Sequence, residues 1–183
     1  MIWLILAGYL IMACVHARRL RVTDFERSAL DLDVALMTQN YQREFGLAMP
    51  RRMPFRLPLE YWLYAWTQTL WMARGSAILI SGIGVWLTLR YAQWLGGDQT
   101  ALIAGAVILS SPYLISQLVA ASYKAYVATL WVGGLYALAL GHPLIAMGCG
   151  VALALLRATS WWMALWLLWA SGGIVVASGL AAM

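Results

Sequence analysis

Charge is scarce in this chain. Of its 183 residues only 10% are Asp, Glu, Lys or Arg, whereas 63% are hydrophobic. Because soluble globular domains carry about 25% charged residues, this composition excludes an ordinary soluble domain and indicates an integral membrane protein. Lysine is nearly absent, with Lys124 as the only one, so the net charge of +5 comes almost entirely from arginine. Guanidinium groups pair well with phosphate, so we expect membrane lipids as partners and no nucleic acid.

Cysteine is scarce as well. Cys14 and Cys149 both lie inside apolar runs and do not have the CxxC spacing of a metal or redox motif. This pattern argues against a disulfide framework and against a zinc site. We expect both cysteines to pack as small apolar side chains. The sequence shows no metal site and leaves the cofactor unknown.

Long apolar runs and tryptophan are what the chain has in abundance, with 11 Trp residues. A helix needs about 20 apolar residues to cross a hydrocarbon layer of about 30 Å. We therefore predict an all-α fold, a polytopic membrane helical bundle with about six transmembrane helices and with amphipathic interfacial helices in a long first loop. The runs that predict the spans are 2–15, 75–95, 101–117, 123–140, 144–156 and 161–180.

The spacing of these runs predicts a single membrane domain over residues 1–183. The first transmembrane helix covers 1–16, the loop with interfacial helices covers 17–74, and a compact helical bundle covers 75–183. Short turns join the later runs, so successive helices should be antiparallel neighbours. Glycines inside the runs would let helix backbones approach closely. They are Gly82, Gly84, Gly105, Gly133, Gly134, Gly148 and Gly150.

The long first loop begins with a predicted amphipathic helix. From Ser28 to Phe45 apolar residues recur at spacings of three and four, which is the helical period. Such a helix is expected to lie in the membrane interface. Asp31 and Asp33 fall near its start, where carboxylates interact favourably with the helix dipole. They are therefore either a structural feature of the helix N-terminus or a functional pair of acids.

A basic, proline-punctuated stretch follows this helix. Prolines hold the backbone extended and present Arg51, Arg52 and Arg56 close together. The segment from residue 59 to residue 72 is rich in Tyr and Trp, as is typical at the level of lipid headgroups. The arginines form either a stripe facing the headgroups or a cradle for a specific phosphate.

Four stretches occur in an order that resembles a known family. They are "DLDVALMTQN" from residue 31, "LPLEYWL" from residue 57, "LRYAQWLGG" from residue 89 and "LSSPYLI" from residue 109. This order resembles the N-terminal transmembrane module of the GT-C superfamily of polyprenyl-phosphate-dependent glycosyltransferases. Within the superfamily it is most similar to protein mannosyltransferases and lipid A aminoarabinose transferases. The later stretch "GVALALLRATSWWMALWLL", from residue 150, is similar to a further segment of that group.

The resemblance implies a chemistry and a set of site residues. In this family a sugar is transferred from a phosphate-linked isoprenoid to an acceptor, and an acid of the first loop acts as general base or holds a metal or the acceptor. Asp31 matches that catalytic acid best, and Asp33 is second. Arg51, Arg52 and Arg56 would then bind the lipid phosphate of the donor. The implied location is the bacterial cytoplasmic membrane.

Alternative functions stay open. Members of the family are considerably longer, so this chain corresponds to their first module only, either active or truncated and inactive. The alternative is a noncatalytic accessory subunit that binds other membrane subunits of a larger complex and reuses the same fold as a scaffold. A transporter or channel is disfavoured, because the apolar runs hold almost no ionisable residue in mid-membrane.

The positive charges bear on membrane orientation. If the segment 58–73 dips into the bilayer without crossing it, every basic residue except Arg90 lies on one side of the membrane. The positive-inside rule places that side in the cytoplasm. The resemblance places it outside, facing the acceptor. The sequence leaves the orientation open.

Overall fold

The computed structural model of the protein describes residues 1–20, Leu59, 70–120, 123–156 and 158–181, with side chains as far as residue 175 in the last range. Every regular element in these ranges is helical, as predicted, and none is a strand. The helices are α1 Ile2–Arg19, α2 Leu70–Leu109, α3 Pro112–Val119, α4 Lys124–Ala139, α5 Pro143–Leu156 and α6 Trp161–Ala181, with a 3₁₀ turn at Ala158–Ser160 before α6.

Two of the described helices, α1 and α2, are long and apolar enough to cross a membrane. The helix α1 extends past its predicted end to Arg19, with His16, Arg18 and Arg19 in its last turn. Cationic side chains in the last turn interact favourably with the negative end of the helix dipole. This explains why the helix continues beyond the apolar run.

The helix α2 is a hairpin of two arms, 70–95 and 98–109. The break lies at Gly96 (φ −152°, ψ 22°) and Gly97 (φ 73°, ψ −166°), inside the segment that the sequence marks as a turn. The positive φ of Gly97 is a conformation that glycine adopts without steric penalty. The two arms correspond to the second predicted run and to most of the third.

The third predicted run is not one continuous helix. The structure ends α2 at Leu109 and begins α3 at Pro112, with Ser110 and Ser111 between them. Proline inside a helix removes a hydrogen bond and clashes with the preceding turn, whereas it is favourable at the first helical position. The chain therefore restarts its helix at Pro112 instead of continuing through it.

The arms of α2 lie against α1 in opposite directions. A Cβ atom built on Gly82 of the first arm would lie 3.2 Å from Leu10, and Arg74 near the start of that arm contacts the end of α1. In the second arm Gly105 faces Ile5 near the start of α1. The first arm is thus antiparallel to α1 and the second arm is parallel to it. The buried core of this part consists of Ile5, Tyr9, Ala13, Ala17, Val85, Leu89, Ile108, Ile115 and Val119.

Polar contacts join α4 to the first arm of α2. The hydroxyl of Tyr126 donates to Oγ of Ser76 at 3.0 Å, and Oγ1 of Thr129 donates to the carbonyl oxygen of Ile80 at 2.9 Å. Both residue numbers rise together along the two helices, so α4 runs parallel to this arm. Hydrogen bonds of this kind fix the register of helices that apolar packing alone would leave free to slide.

The helices α4, α5 and α6 form the second half of the bundle. Gly141, with φ 74°, turns the chain between α4 and α5, at the site where the sequence predicts an end to the helix. Leu153 of α5 packs against Ala164 and Leu167 of α6 in a second buried cluster. Aromatic contacts add to it, because the Trp131 ring lies 5.5 Å from that of Trp166 in an edge-on arrangement.

We predict that Gly84→Ala destabilises the bundle. A Cβ atom at Gly84 would lie 2.5 Å from Oγ1 of Thr129, so either Thr129 rotates and loses its hydrogen bond to the carbonyl oxygen of Ile80 or α2 and α4 move apart. The expected loss is about 1–3 kcal/mol, typical of overpacking. Gly148→Ala is the matched control, because a Cβ atom there meets nothing within 4 Å. Thermal unfolding of the detergent-solubilised protein measures both, and equal midpoints for the two variants would contradict the close approach.

Candidate functional site

The predicted site residues lie outside the part of the chain that the structure describes. These are the predicted catalytic pair, Asp31 and Asp33, and the predicted phosphate-binding residues Arg51, Arg52 and Arg56. The predicted interfacial helix at 28–45 lies outside it too. The structure does define where the chain leaves α1, at Leu20, and where α2 begins, at Leu70.

Arg74 is the central residue of this end of the bundle. Its side chain is only 2% exposed. Its Nη1 atom donates to the carbonyl oxygen of Ala17 at 2.6 Å and to that of Leu20 at 3.1 Å. The last carbonyls of a helix have no partner within the helix and carry the negative end of its dipole. A buried guanidinium therefore finds both hydrogen-bond acceptors and favourable charge at the end of α1.

An aromatic ring also contacts this guanidinium. The Cζ atom of Arg74 lies 6.0 Å from the ring centroid of Trp71, one turn earlier in α2. At this distance the negative face of the indole attracts the cation. Arg74 is thus held by backbone carbonyls of α1 and by an aromatic side chain of its own helix.

The Nη1 atom of Arg74 is engaged with α1, so Arg74 acts as a clamp between the first two helices. A signal for this was present in the sequence, because an arginine at the start of an apolar run needs carbonyl or carboxylate partners nearby. The identity of those partners depends on how α1 and α2 pack.

The clamp brings together the described residues that flank 21–69. Since Arg74 bonds directly to Ala17 and Leu20, the end of α1 and the start of α2 lie next to each other at one end of the bundle. The exposed Arg18 and Arg19 lie at the same end. We refer to it as the loop end.

Comparison of the chain with family models, curated proteins and solved structures gives no significant match. The resemblance to GT-C glycosyltransferases therefore stays a prediction from the motifs in the sequence. The structural features that bear on function are the positions of the charged residues, the exposed apolar surface, and the positions of Leu20 and Leu70, which flank residues 21–69.

Acidic residues are distributed very unevenly. Within the described ranges the single Asp or Glu is Asp98, which follows the turn between the arms of α2 at the end opposite the loop end. Every other acid of the chain falls in residues 21–69. The described part of the bundle therefore offers no carboxylate at the loop end, and a carboxylate base there would have to come from residues 21–69.

The described residues also hold no metal-binding group. No cluster of three or more His, Cys, Asp or Glu side chains occurs among them. Cys14 and Cys149, which are the two cysteines of the chain, are not joined in a disulfide.

We predict that Arg74→Met lowers stability by about 2–3 kcal/mol, because two hydrogen bonds from a charged donor are lost and the carbonyl ends of α1 lose their partner. Arg18→Met is the matched control: Arg18 is exposed in the last turn of α1, and its loss is expected to change stability by about 0.5 kcal/mol or less. The midpoint of thermal unfolding in detergent checks both. Equal shifts for the two variants would show that Arg74 is not a clamp.

Proposed function

We propose that the protein is an integral membrane protein whose residues 21–69 act on a polyprenyl-phosphate-linked sugar at the membrane surface, as the resemblance to the GT-C superfamily implies. The observation that carries this proposal is the clamp. Arg74 holds both ends of a segment that contains all the acids except Asp98 at one end of an apolar helical bundle. A segment that carries most of the acidic residues and is joined to an apolar bundle at both ends is suited to binding a charged substrate at the membrane surface.

The surface of the bundle supports a membrane location. With 18 residues, α1 is about 27 Å long at 1.5 Å per residue, close to the thickness of the hydrocarbon layer. Large apolar side chains are exposed on α1, α2, α5 and α6, which is expected where lipid replaces water. Examples, each 64% exposed or more, are Leu4, Ile11, Leu79, Ile103, Leu144 and Leu165. We propose that all six predicted runs lie in the bilayer, and that this is the bacterial cytoplasmic membrane.

The proposed chemistry assigns roles to residues of the segment. Asp31, with Asp33 as second choice, would accept a proton from the acceptor hydroxyl or position the acceptor near the anomeric carbon. The leaving lipid phosphate develops negative charge, which Arg51, Arg52 and Arg56 would stabilise through charge-assisted hydrogen bonds. A site at the bilayer surface lets the donor keep its isoprenoid tail in the hydrocarbon layer.

We predict that Asp31→Asn lowers the transfer rate by about 100-fold or more, because Asn cannot accept the proton. The assay measures transfer of sugar from a polyprenyl-phosphate donor by the full chain in proteoliposomes. Asp24→Asn is the matched control, since it removes a carboxylate from the same segment without touching the predicted site. Full activity of the Asp31→Asn variant in an assay where the wild type is active would exclude the catalytic role.

One observation favours the second candidate, a noncatalytic subunit of a larger membrane complex. Trp169 is 77% exposed, although it lies about 12 Å along α6 from Trp161. Tryptophan in membrane proteins concentrates at the headgroup level, and at this depth it would be better accommodated against another protein. A partner helix packed on α6 would cover it.

If the protein is such a subunit, we expect a second membrane protein to co-purify with it in a mild detergent at a one-to-one ratio. Trp169→Ala should release the companion, while Leu144→Ala, an equally exposed position on α5, should retain it. A protein that purifies alone and transfers sugar would exclude the subunit role. Retention of the companion by both variants would show that Trp169 is not its contact.

A further inference from the structure

Two neighbouring clefts lie on the outside of the bundle between α1 and the first arm of α2, and we refer to the pair as the cleft, with a polar half and an apolar half. The polar half has a volume of ≈ 240 Å³ and includes Arg90, Gln93 and Asp98 in its lining. The apolar half has a volume of ≈ 250 Å³. Trp3 and Trp86 line both halves, so the two spaces lie side by side. The remaining side of the apolar half consists of Leu6, Leu10, Leu79, Gly82 and Ile83.

The polar half holds a cation and an anion that are linked through one amide side chain. Nη1 of Arg90 donates to Oε1 of Gln93 at 3.1 Å, and Nε2 of Gln93 donates to Oδ1 of Asp98 at 2.7 Å. The Cζ atom of Arg90 also lies 5.8 Å from the ring centroid of Trp86, within the range of a cation–π contact. One amide therefore links a guanidinium to a carboxylate, and all three groups are exposed at the surface.

The apolar half is a furrow that runs away from these charges along the helices. Because Gly82 has no side chain, its backbone forms the floor of the furrow between Leu10 of α1 and Ile83 of α2. From Arg90 to Leu79 the helix rises about 17 Å, which is about the depth of one leaflet of a 30 Å hydrocarbon layer. Leu79 is 66% exposed, so the furrow is open to the surroundings of the bundle.

An unsatisfied donor lies where the two halves meet. The Nε1 atom of Trp86 is buried and finds no acceptor among the described residues. A buried donor without an acceptor is unfavourable. This atom is enclosed by protein and has almost no accessible surface, so the charges and the apolar lining of the cleft, and not this donor, point to a ligand.

We propose that the cleft binds one zwitterionic phospholipid with a primary ammonium headgroup, its phosphate at Arg90, its ammonium at Asp98 and one acyl chain along the furrow. A guanidinium favours phosphate, and a carboxylate favours an ammonium that can donate hydrogen bonds. A purely anionic headgroup would bring its charge close to Asp98. This site is at the opposite end of the bundle from the loop end and does not depend on the sugar-transfer proposal.

Native mass spectrometry of the full chain, reconstituted with lipids of equal chain length, tests the site. We expect one bound phosphatidylethanolamine, with at least about tenfold weaker binding of phosphatidylglycerol and of phosphatidylcholine, whose quaternary ammonium donates no hydrogen bond. Arg90→Gln should weaken phosphatidylethanolamine about tenfold, and Asp98→Asn should remove the preference over phosphatidylcholine. Leu79→Trp, which fills the furrow, should also reduce binding.

Matched controls separate the cleft from general lipid adhesion. Arg18→Gln removes an exposed arginine at the loop end, and Ile103→Trp enlarges an exposed apolar residue on the second arm of α2; both should bind lipid as the wild type does. Circular dichroism shows that each variant is folded. The proposal would be overturned by equal binding of the three lipids or by unchanged phosphatidylethanolamine binding in Arg90→Gln. It would also be overturned if a crosslinker placed at position 79 reacted with a protein instead of a lipid.

Discussion

The contact between Arg74 and the carbonyl end of α1 is the interaction on which the rest of the arrangement depends. A guanidinium this deeply buried is tolerated only where acceptors are ready-made, and the last turn of a helix supplies them. The contact holds the end of α1 against the start of the first arm of α2, which is antiparallel to α1, and α3 and α4 pack on this pair. It also places Leu20 and the start of α2, between which residues 21–69 lie in the sequence, at one end of the bundle.

Close approach of helices is the second constraint, and it follows from the first. Once α1 and α2 are aligned, glycine lets the backbones meet where lipid would provide no hydrophobic attraction between them. Examples are Gly84 against Thr129, Gly134 against Leu167 and Gly105 against Ile5. The large apolar side chains are then left to face outward, so the bundle is more apolar outside than a soluble protein would be.

The two ends of the bundle differ in charge, and the two proposed sites differ accordingly. At the loop end the exposed charges of the described residues, Arg18, Arg19 and Lys124, are all positive, whereas the opposite end pairs Arg90 with Asp98 through Gln93. A one-sided positive surface suits a lipid phosphate, and a mixed pair suits a zwitterionic headgroup. The proposals therefore place lipid recognition at both surfaces of the membrane, by different chemistry in each leaflet.

Composition and apolar runs alone predicted that the described residues are helical, and the breaks between the runs predicted the turns that the structure places at Gly96–Gly97 and Gly141, because helix length and glycine geometry are local properties. Helix continuity was less predictable: Pro112 begins a new helix within a run that is apolar throughout. The residues of the predicted catalytic site lie outside the described ranges, so their roles stay predictions. Only the tertiary structure decided that Arg74 clamps α1 and that the polar half lined by Arg90, Gln93 and Asp98 of α2 lies beside an apolar furrow between α1 and α2. The clamp and the furrow each combine residues of two helices, and the spacing of residues along one chain does not encode which faces of two helices meet.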